Sequence, residues 1–265
     1  MKPLSSFQPI ERAAIKVILT DIDDTLTTDG RLTSAAYAAL EDLHDAGFIV
    51  VPITGRPAGW CDHIARMWPV DGVVGENGAF YFRYDREKRV MEQHFCMDDA
   101  ARRENAHRLD AIRKRVLEEV PGAAVASDQA YRVADLAIDF CEDVPPLAEA
   151  DINRIVSIFD DAGAIAKISS IHVNGWFGTY DKLTMTKTFL ADCFDLNIEI
   201  EADRHQIVYV GDSPNDAPMF GFFPNSIGVA NIKNFIGKLD AEPTYVTEAT
   251  DGAGFVEVAQ LLLER

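Results

Sequence analysis

A short acidic stretch follows an apolar run near the start of the chain. The run covers residues 15–20, and Asp21, Asp23 and Asp24 come directly after it. Because an unpaired charge is too costly to bury in a core, the strand that this run predicts must stop at Asp21. Two carboxylates two residues apart then crowd into one polar site, where a cation joins them or one of them keeps a proton.

Both outcomes are chemically useful. Asp21 could ligate a hard divalent metal and attack phosphorus, while Asp23 could carry the proton to and from the leaving oxygen. The alternative is an acidic loop that merely ends a strand. A calcium loop fits poorly, because counting from Asp21 places Leu26 where Gly is needed and Leu32 where a bidentate Glu is needed.

A second polar segment, Thr54-Gly55-Arg56, follows the next apolar run, residues 48–53. A hydroxyl, a Gly that lets the backbone approach closely and a guanidinium are what a phosphoryl group needs around it. The alternative is an ordinary turn before a helix that begins at Pro57.

A second acidic cluster, Asp212 to Asp216, follows the apolar run 205–210. Carboxylate and amide oxygens at a strand end can hold a hard cation while waters and a substrate oxygen take the remaining positions. The alternative is an acidic turn. Two such clusters at the same edge of the same kind of sheet are far more specific for a metal site than one.

A lysine at the start of a predicted helix is unfavourable toward the helix dipole, and Lys182 stands in that position. The small cost suggests a functional role, with Lys187 as the alternative site lysine. Asn77 precedes Gly78, and Asn-Gly is a strong tight-turn signal, so a purely structural role for Asn77 is at least as well supported as a site role.

Together these segments resemble the haloacid dehalogenase (HAD) superfamily of phosphatases. Asp21-Ile-Asp23-Asp-Thr is similar to its first motif, Asp-x-Asp-x-Thr, and Gly-Asp212-Ser-Pro-Asn215-Asp216 to its fourth motif. Thr54 falls on the second motif and Lys182 on the third, although Leu183 stands where Gly is usual. The chain as a whole resembles subfamily IIB, the group of Cof-type, sucrose-, trehalose- and mannosylglycerate-phosphate phosphatases.

The resemblance implies a role for each candidate residue. Asp21 would be the nucleophile, Asp23 the acid and base, and Thr54 and Lys182 would bind phosphoryl oxygens. Mg²⁺ would be held by Asp21, the main-chain oxygen of Asp23, Asp212 and Asp216. The implied substrate-binding residues are Gly55, Arg56, Asn77 and Asn215.

The pattern of strands and helices that must position these residues predicts an α/β fold with a doubly wound parallel sheet. Apolar strands alternate with helices such as the one predicted from residue 34 to about 46, which Gly47 ends. From Arg83 the sequence becomes charged and α+β in character. We therefore predict a catalytic core of residues 1–83 and 179–265 with an inserted cap domain, residues 84–178, that selects the substrate. The alternative is an independent domain with its own ligand.

Composition limits the partners. The net charge of −18 argues against a nucleic-acid surface, and a phosphate ester would need local positive charge from a metal and a few basic side chains. Four scattered cysteines without a Cys-x-x-Cys pair indicate neither a thiolate metal site nor redox chemistry. No stretch approaches a membrane span and the N-terminus shows no signal region, so we expect a cytoplasmic protein.

The sequence therefore predicts a magnesium-dependent phosphatase that hydrolyses a small phosphorylated metabolite, most simply a sugar phosphate, through an aspartyl-phosphate. A phosphomutase of the same superfamily and a non-catalytic metabolite-binding relative are the alternatives. A signalling domain with an acceptor Asp would need neither Asp23 nor a cap of this size. The identity of the substrate and the oligomeric state are not encoded in any readable pattern.

Overall fold

The computed structural model describes residues 1–169 and 171–264. Its strands are, in chain order, β1 (Lys2–Pro3), β2 (Val17–Thr20), β3 (Thr27–Thr28), β4 (Arg31–Leu32), β5 (Ile49–Pro52), β6 (Val73–Gly75), β7 (Phe80–Asp85), β8 (Val90–Phe95), β9 (Ala124–Val125), β10 (Leu136–Asp139), β11 (Ile165–Ile168), β12 (His172–Trp176), β13 (Ile207–Gly211), β14 (Asn225–Gly228) and β15 (Tyr245–Val246). Its α-helices are α1 (Pro9–Ala13), α2 (Ser34–Asp45), α3 (Ala58–Met67), α4 (Asp99–Glu119), α5 (Glu149–Asp161), α6 (Lys182–Phe194), α7 (Glu201–Arg204), α8 (Ala217–Phe222) and α9 (Asp251–Leu263).

Within these described residues, six strands form one parallel sheet in the order β1-β15-β14-β13-β2-β5. Thr20, the last residue of β2, lies beside Val210 of β13 and Pro52 of β5. The carboxyl ends of these three strands therefore meet at one edge, which is where open α/β sheets bind ligands. The predicted α/β class with a parallel sheet is confirmed.

Both faces of this sheet are covered, which is why its central strands are apolar throughout. Along β2, Val17 and Leu19 belong to one hydrophobic cluster and Ile18 to the other, as the period-two geometry of a strand requires. The first cluster includes side chains of α6 and α8, and the second includes side chains of α2 and α9. Helices on both faces make the sheet doubly wound.

The segment between α3 and α6 forms two further sheets. Strands β6, β7 and β8 make an antiparallel sheet, and a four-stranded sheet in the order β11-β12-β10-β9 has its own core with α4 and α5. The predicted boundary at residue 84 falls inside the β7–β8 hairpin. The extent of the cap, residues 84–178, stays a prediction; below, residues 99–176 are called the inserted segment.

Two side chains of α3 contradict the prediction made from helical spacing. In the sequence, residues 58–68 read as a helix in which Trp60, Ile64 and Met67 recur at helical spacing, and this spacing predicts that all three lie in the core. In the structure only Ile64 of the three is buried, while Trp60 is 42% and Met67 64% exposed. The Trp60 ring instead packs under the guanidinium of Arg56, whose central carbon lies 4.5 Å from the ring centre. Among the described residues, no helix combines the length and apolarity that crossing a bilayer requires.

Candidate active site

Three carboxylates meet at the carboxyl ends of neighbouring strands. Asp21 follows β2 and Asp212 follows β13, while Asp216 lies in the short turn after Asp212. One carboxylate oxygen from each lies within 4.8 Å of the others, and all three side chains are buried. The two acidic clusters that are 191 residues apart in the sequence are thus brought together, because their strands are neighbours in the sheet.

Lys182 supplies the positive charge between two of these carboxylates. Its Nζ donates to Oδ1 of Asp21 and to Oδ1 of Asp216, both at 2.7 Å. It occupies the first position of α6, which Asp181 caps by accepting a hydrogen bond from the backbone N–H of Thr184. The alternative site lysine, Lys187, instead contacts Glu199 on a partly exposed face of the helix.

The carboxylate cluster is short of positive charge. Burial, with the neighbouring Asp216 and Asp23, raises the pKa of Asp21 to about 7 despite the opposing effect of Lys182. Burial, with the neighbouring Asp216, Asp21 and Asp24, raises the pKa of Asp212 well above its ordinary value. Burial lowers the pKa of Lys182, but the two carboxylates outweigh it and raise that pKa. An all-oxygen, electron-rich site of this kind suits a hard divalent cation.

Asp212 and Asp216 differ in how they are held. Oδ1 of Asp216 accepts the Tyr209 hydroxyl at 2.5 Å besides Lys182, and Oδ2 accepts the backbone N–H groups of Asp212 and Ser213. Both of its oxygens are therefore engaged by the chain. Asp212 is held more loosely, accepting Thr25 and Asn231 side chains at 3.3 Å each. Asp212 is thus the more available metal ligand of the two.

Asp23 lies beside this cluster in an ion pair with Arg56. The guanidinium donates from Nη2 to Oδ1 of Asp23 at 2.8 Å and from Nε at 3.0 Å, and it is almost fully buried. The same Nη2 donates to Glu142 of the inserted segment at 3.0 Å, and Nη1 lies 3.5 Å from Asp128. Arg56 therefore links the predicted acid–base residue to the inserted segment.

The remaining predicted contacts lie around this pair. Thr54 is fully buried, and its Oγ1 accepts the backbone N–H of Arg56 at 3.0 Å. Asn77 is buried against Gly55, where an added Cβ would come within 3.2 Å of its amide, and Nδ2 of Asn77 has no partner among the described residues. Asn215 accepts the Ser213 hydroxyl at 2.7 Å. The roles predicted for these four residues stay predictions.

A small cavity lies between the core and the inserted segment, next to Asp23 and Arg56. Its volume is about 20 Å³, room for one or two water molecules, and core and inserted segment both line it. The lining residues include the predicted residues Asp21, Asp23, Gly55, Arg56, Asp212 and Asn215, together with Arg132, His172 and Asn174 of the inserted segment. Asp21, Asp23 and Asp212 therefore face the same small cavity.

The sequence analysis does not predict Glu76, whose side chain forms hydrogen bonds to both the core and the inserted segment. This fully buried carboxylate accepts the backbone N–H of Ala58 at 2.9 Å and those of Val133, Ala134 and Asp135 at 2.7–3.2 Å. Burial and Asp135 raise its pKa to about 8, with Arg132 opposing. However, both oxygens of Glu76 accept backbone N–H groups, and a proton on either oxygen would point at one of these donors. The four N–H groups therefore favour the ionised carboxylate.

Two other residues are missed, Glu142 and Arg132. Glu142 follows a short apolar strand that ends in Asp139, the same pattern that identifies Asp21, so the sequence does contain a signal for it. Arg132 donates to Asp128, Asp135 and the backbone oxygen of Gly55. The sequence offers no comparable signal for Arg132, because these contacts depend on how the inserted segment folds onto the core.

Comparison with known proteins places these observations in a family context. The family model described as haloacid dehalogenase-like hydrolase matches residues 18–107. The chain is 27% identical over 252 residues to a phosphoglycolate phosphatase of Methanoculleus marisnigri, covering 93% of this chain and 96% of the relative.

Solved structures share the fold over nearly the whole chain. Protein 0175 of Thermoplasma acidophilum matches with a TM-score of 0.69 at 17% identity, covering 94% of this chain and 98% of that one. The sucrose-phosphatase of Synechocystis sp. PCC6803, solved with sucrose and phosphate, matches with a TM-score of 0.63 at 15% identity, covering 93% and 97%. Likeness at this level of identity shows the fold.

Proposed function

The resemblance to the haloacid dehalogenase superfamily is confirmed, and we propose that this chain is a magnesium-dependent phosphatase that acts on a small phosphorylated metabolite. One observation carries the proposal. Asp21, at the end of a buried strand, lies among Lys182, Asp212 and Asp216 on one side and Asp23 on the other. A nucleophile, an acid–base group and charge for the phosphoryl oxygens are thus within one small site.

The residues present fit a divalent metal. Three buried carboxylates lie around one lysine, and burial, with the neighbouring Asp216 and Asp23, raises the pKa of Asp21 despite that lysine. Asp21, Asp212 and the main-chain oxygen of Asp23 would hold Mg²⁺, and Asp216 would orient Lys182 and metal-bound water. When bound, the ion would neutralise charge that develops on the phosphoryl oxygens.

The chemistry of the residues follows a two-step transfer. Asp21 attacks phosphorus and forms a P–O bond while the bond to the leaving oxygen breaks, and Asp23 gives that oxygen a proton. Asp23 then takes a proton from water, which attacks phosphorus and frees the Asp21 carboxylate. Lys182 stabilises negative charge next to the nucleophile throughout, and Thr54 donates its hydroxyl to a phosphoryl oxygen.

Substrate entry requires the inserted segment to move. A cavity of about 20 Å³ holds no phosphate ester, so the contacts that Arg56 and Arg132 make across it must open and reform. We propose that residues 84–178 act as a cap that closes on the ester and excludes bulk water. The leaving group would then lie between Asp23 and the inserted segment. We expect the substrate to be a sugar phosphate, and we expect the protein to be cytoplasmic.

The test uses two substitutions and a matched control. Asp21→Asn should abolish phosphate release from p-nitrophenyl phosphate, because an amide is no nucleophile, and Asp212→Asn should do so by weakening magnesium binding. Asp160→Asn makes the same change on an exposed position of α5 and should behave as wild type. Removal of magnesium with a chelator should stop wild-type turnover, and magnesium should restore it.

The outcomes separate the alternatives. Wild-type turnover by Asp21→Asn would remove the nucleophile assignment. Transfer of phosphate between sugars without release into solution would favour the phosphomutase. Binding of phosphorylated metabolites without any turnover in magnesium would favour the non-catalytic relative.

A further inference from the structure

Glu142 and His172 reach the proposed active site from the inserted segment. Glu142 lies in a tight turn after β10, in which the Asp139 carboxylate accepts the backbone N–H groups of Cys141, Glu142 and Asp143 at 2.7–2.9 Å. His172 opens β12 opposite Asp139, and its side chain is only 3% exposed. Both positions are therefore fixed by backbone structure.

These two side chains continue a polar chain that begins at Asp23. Arg56 Nη2 donates to Asp23 and to Oε1 of Glu142, and Oε2 of Glu142 lies 2.9 Å from Nε2 of His172. Asp23 is the residue that protonates the leaving oxygen in the proposed mechanism. The groups next to it on the side of the inserted segment are thus the ones that the rest of the leaving group would meet.

His172 and Glu142 still have capacity for a ligand. Although Nε2 of His172 is close to Glu142, its geometry does not satisfy a hydrogen bond, and this buried atom has no other partner among the described residues. The Glu142 side chain is 30% exposed, and its neighbours Arg56 and His172 line the cavity. A hydroxyl could accept from the imidazole and donate to the carboxylate at the same time.

The charges around this position are unfavourable for a second anion. Arg56 is shared by the carboxylates of Asp23, Glu142 and Asp128, and a second buried guanidinium nearby, Arg132, is held by Asp128 and Asp135. Apart from His172, four carboxylates face two guanidinium groups at this position. Neighbouring His172 and Arg56 also lower the pKa of Glu142 to about 2, against the effect of burial. Glu142 is therefore ionised at neutral pH.

We propose that Glu142, His172 and Arg56 form the leaving-group subsite, and that it selects esters of neutral, hydroxyl-bearing alcohols against esters whose leaving group carries a carboxylate. The inference rests on the proposed phosphatase function. A substrate carboxylate in this subsite would be repelled by Glu142, and both nearby guanidinium groups are already paired with carboxylates of the protein. A substrate hydroxyl would instead find an acceptor in Glu142 and a donor in His172.

Two esters that differ in one group test this selection. Glycerol 3-phosphate and 3-phosphoglycerate have the same chain and the same central hydroxyl, but one ends in CH₂OH and the other in a carboxylate. Wild type should hydrolyse glycerol 3-phosphate with a kcat/KM at least about tenfold higher than 3-phosphoglycerate. The reason is that the repulsion between the carboxylate of 3-phosphoglycerate and Glu142 at contact distance exceeds the free energy that corresponds to a tenfold change in rate. The measurement is phosphate release in magnesium.

Substitutions then assign the preference to residues. Glu142→Gln removes the like charge and should narrow the ratio of the two kcat/KM values by about tenfold, chiefly by raising the value for 3-phosphoglycerate. His172→Gln should lower kcat/KM for glycerol 3-phosphate. The matched controls Glu118→Gln and His107→Gln change exposed residues of α4 and should keep the wild-type ratio.

Each remaining outcome counts against a specific statement. A wild-type preference for 3-phosphoglycerate, or an unchanged ratio in Glu142→Gln, would overturn the selection and leave the phosphatase assignment standing. Turnover of p-nitrophenyl phosphate without turnover of either ester would do the same. Absence of phosphate release from all three compounds would overturn the proposed function and this inference with it.

Discussion

Replacing Glu76 by Gln should destabilise the protein by about 3 kcal/mol. The carboxylate accepts four backbone N–H groups, and a glutamine keeps only one of the two acceptor oxygens. In the cheaper orientation the N–H of Ala58 loses its acceptor, which costs about 1–3 kcal/mol for a buried donor. The other three hydrogen bonds lose their charge, at about 1 kcal/mol each, while relief from burying a charge offsets part of the sum.

The assay is thermal and urea unfolding at neutral pH, with Glu118→Gln as the matched exposed control. For a chain of this size, about 3 kcal/mol corresponds to a Tm lower by about 6–12 °C. Amide hydrogen exchange should accelerate most at Ala58, because its N–H loses its acceptor, and less at residues 133–135, whose hydrogen bonds only lose their charge. An unchanged Tm would mean that Glu76 is protonated in the folded protein, since glutamine resembles the protonated acid, and the ionised state argued above would be wrong.

Three further outcomes follow from the same contacts. Lys182→Met leaves two buried carboxylates without their cation and should cost about 3–5 kcal/mol of unfolding free energy in chelator, a loss that excess magnesium reduces. Gly78→Ala should cost at least about 3 kcal/mol, because Gly78 has a φ of +103° and its Cβ would lie 2.0 Å from the Asp181 oxygen, whereas Gly163→Ala, at a φ of +71° with nothing within 4 Å, should cost about 1 kcal/mol. The pKa of Glu142 is lowered from its ordinary 4.5 to about 2, so its stabilising effect is complete above pH 4.5 and lost as the pH falls toward 2. Acid unfolding curves should show wild type losing about 1 kcal/mol more than Glu142→Gln over that window, a value discounted because the side chain is 30% exposed.

The sequence predicts which side chains meet around Asp21, in the proposed phosphoryl half of the site. A carboxylate cannot continue a buried strand, so the ends of β2 and β13 are marked by Asp21 and Asp212. Parallel strands then place both ends at one edge, which the register of the sheet confirms. Lys182 can be identified because a positive charge at the start of a helix interacts unfavourably with the helix dipole, and no neighbouring residue in the sequence accounts for it. These are local physical rules, so a single sequence carries them.

Helical spacing fails for Trp60 because it reports only which side of a helix a residue occupies. The same spacing that buries Ile64 places Trp60 at the edge of that face, next to Arg56. A large aromatic ring gains contact area against a guanidinium as well as against a core. Apolar character alone cannot distinguish the two environments.

The leaving-group half is not predictable in the same way, because its contacts join distant parts of the chain. Arg56 and Glu142 are 86 residues apart, and Glu76 is 57 residues from Val133. Neither pair shares a strand, a helix or a turn, so no periodicity connects them. Their meeting depends on how the inserted segment docks, which the sequence specifies only through the summed packing of two cores.

Charge balance connects the two halves of the site. Around Lys182 three carboxylates share one cation, and around Arg56 and Arg132 four carboxylates share two. Each half therefore lacks positive charge before any ligand binds, and a dianionic phosphate would be repelled from both. A divalent cation can restore the balance only in the phosphoryl half, where the carboxylate oxygens lie within 4.8 Å of one another. In the proposed mechanism the leaving-group half would stay negative, and this asymmetry would direct the phosphoryl end of a substrate toward Asp21 and a neutral end toward Glu142.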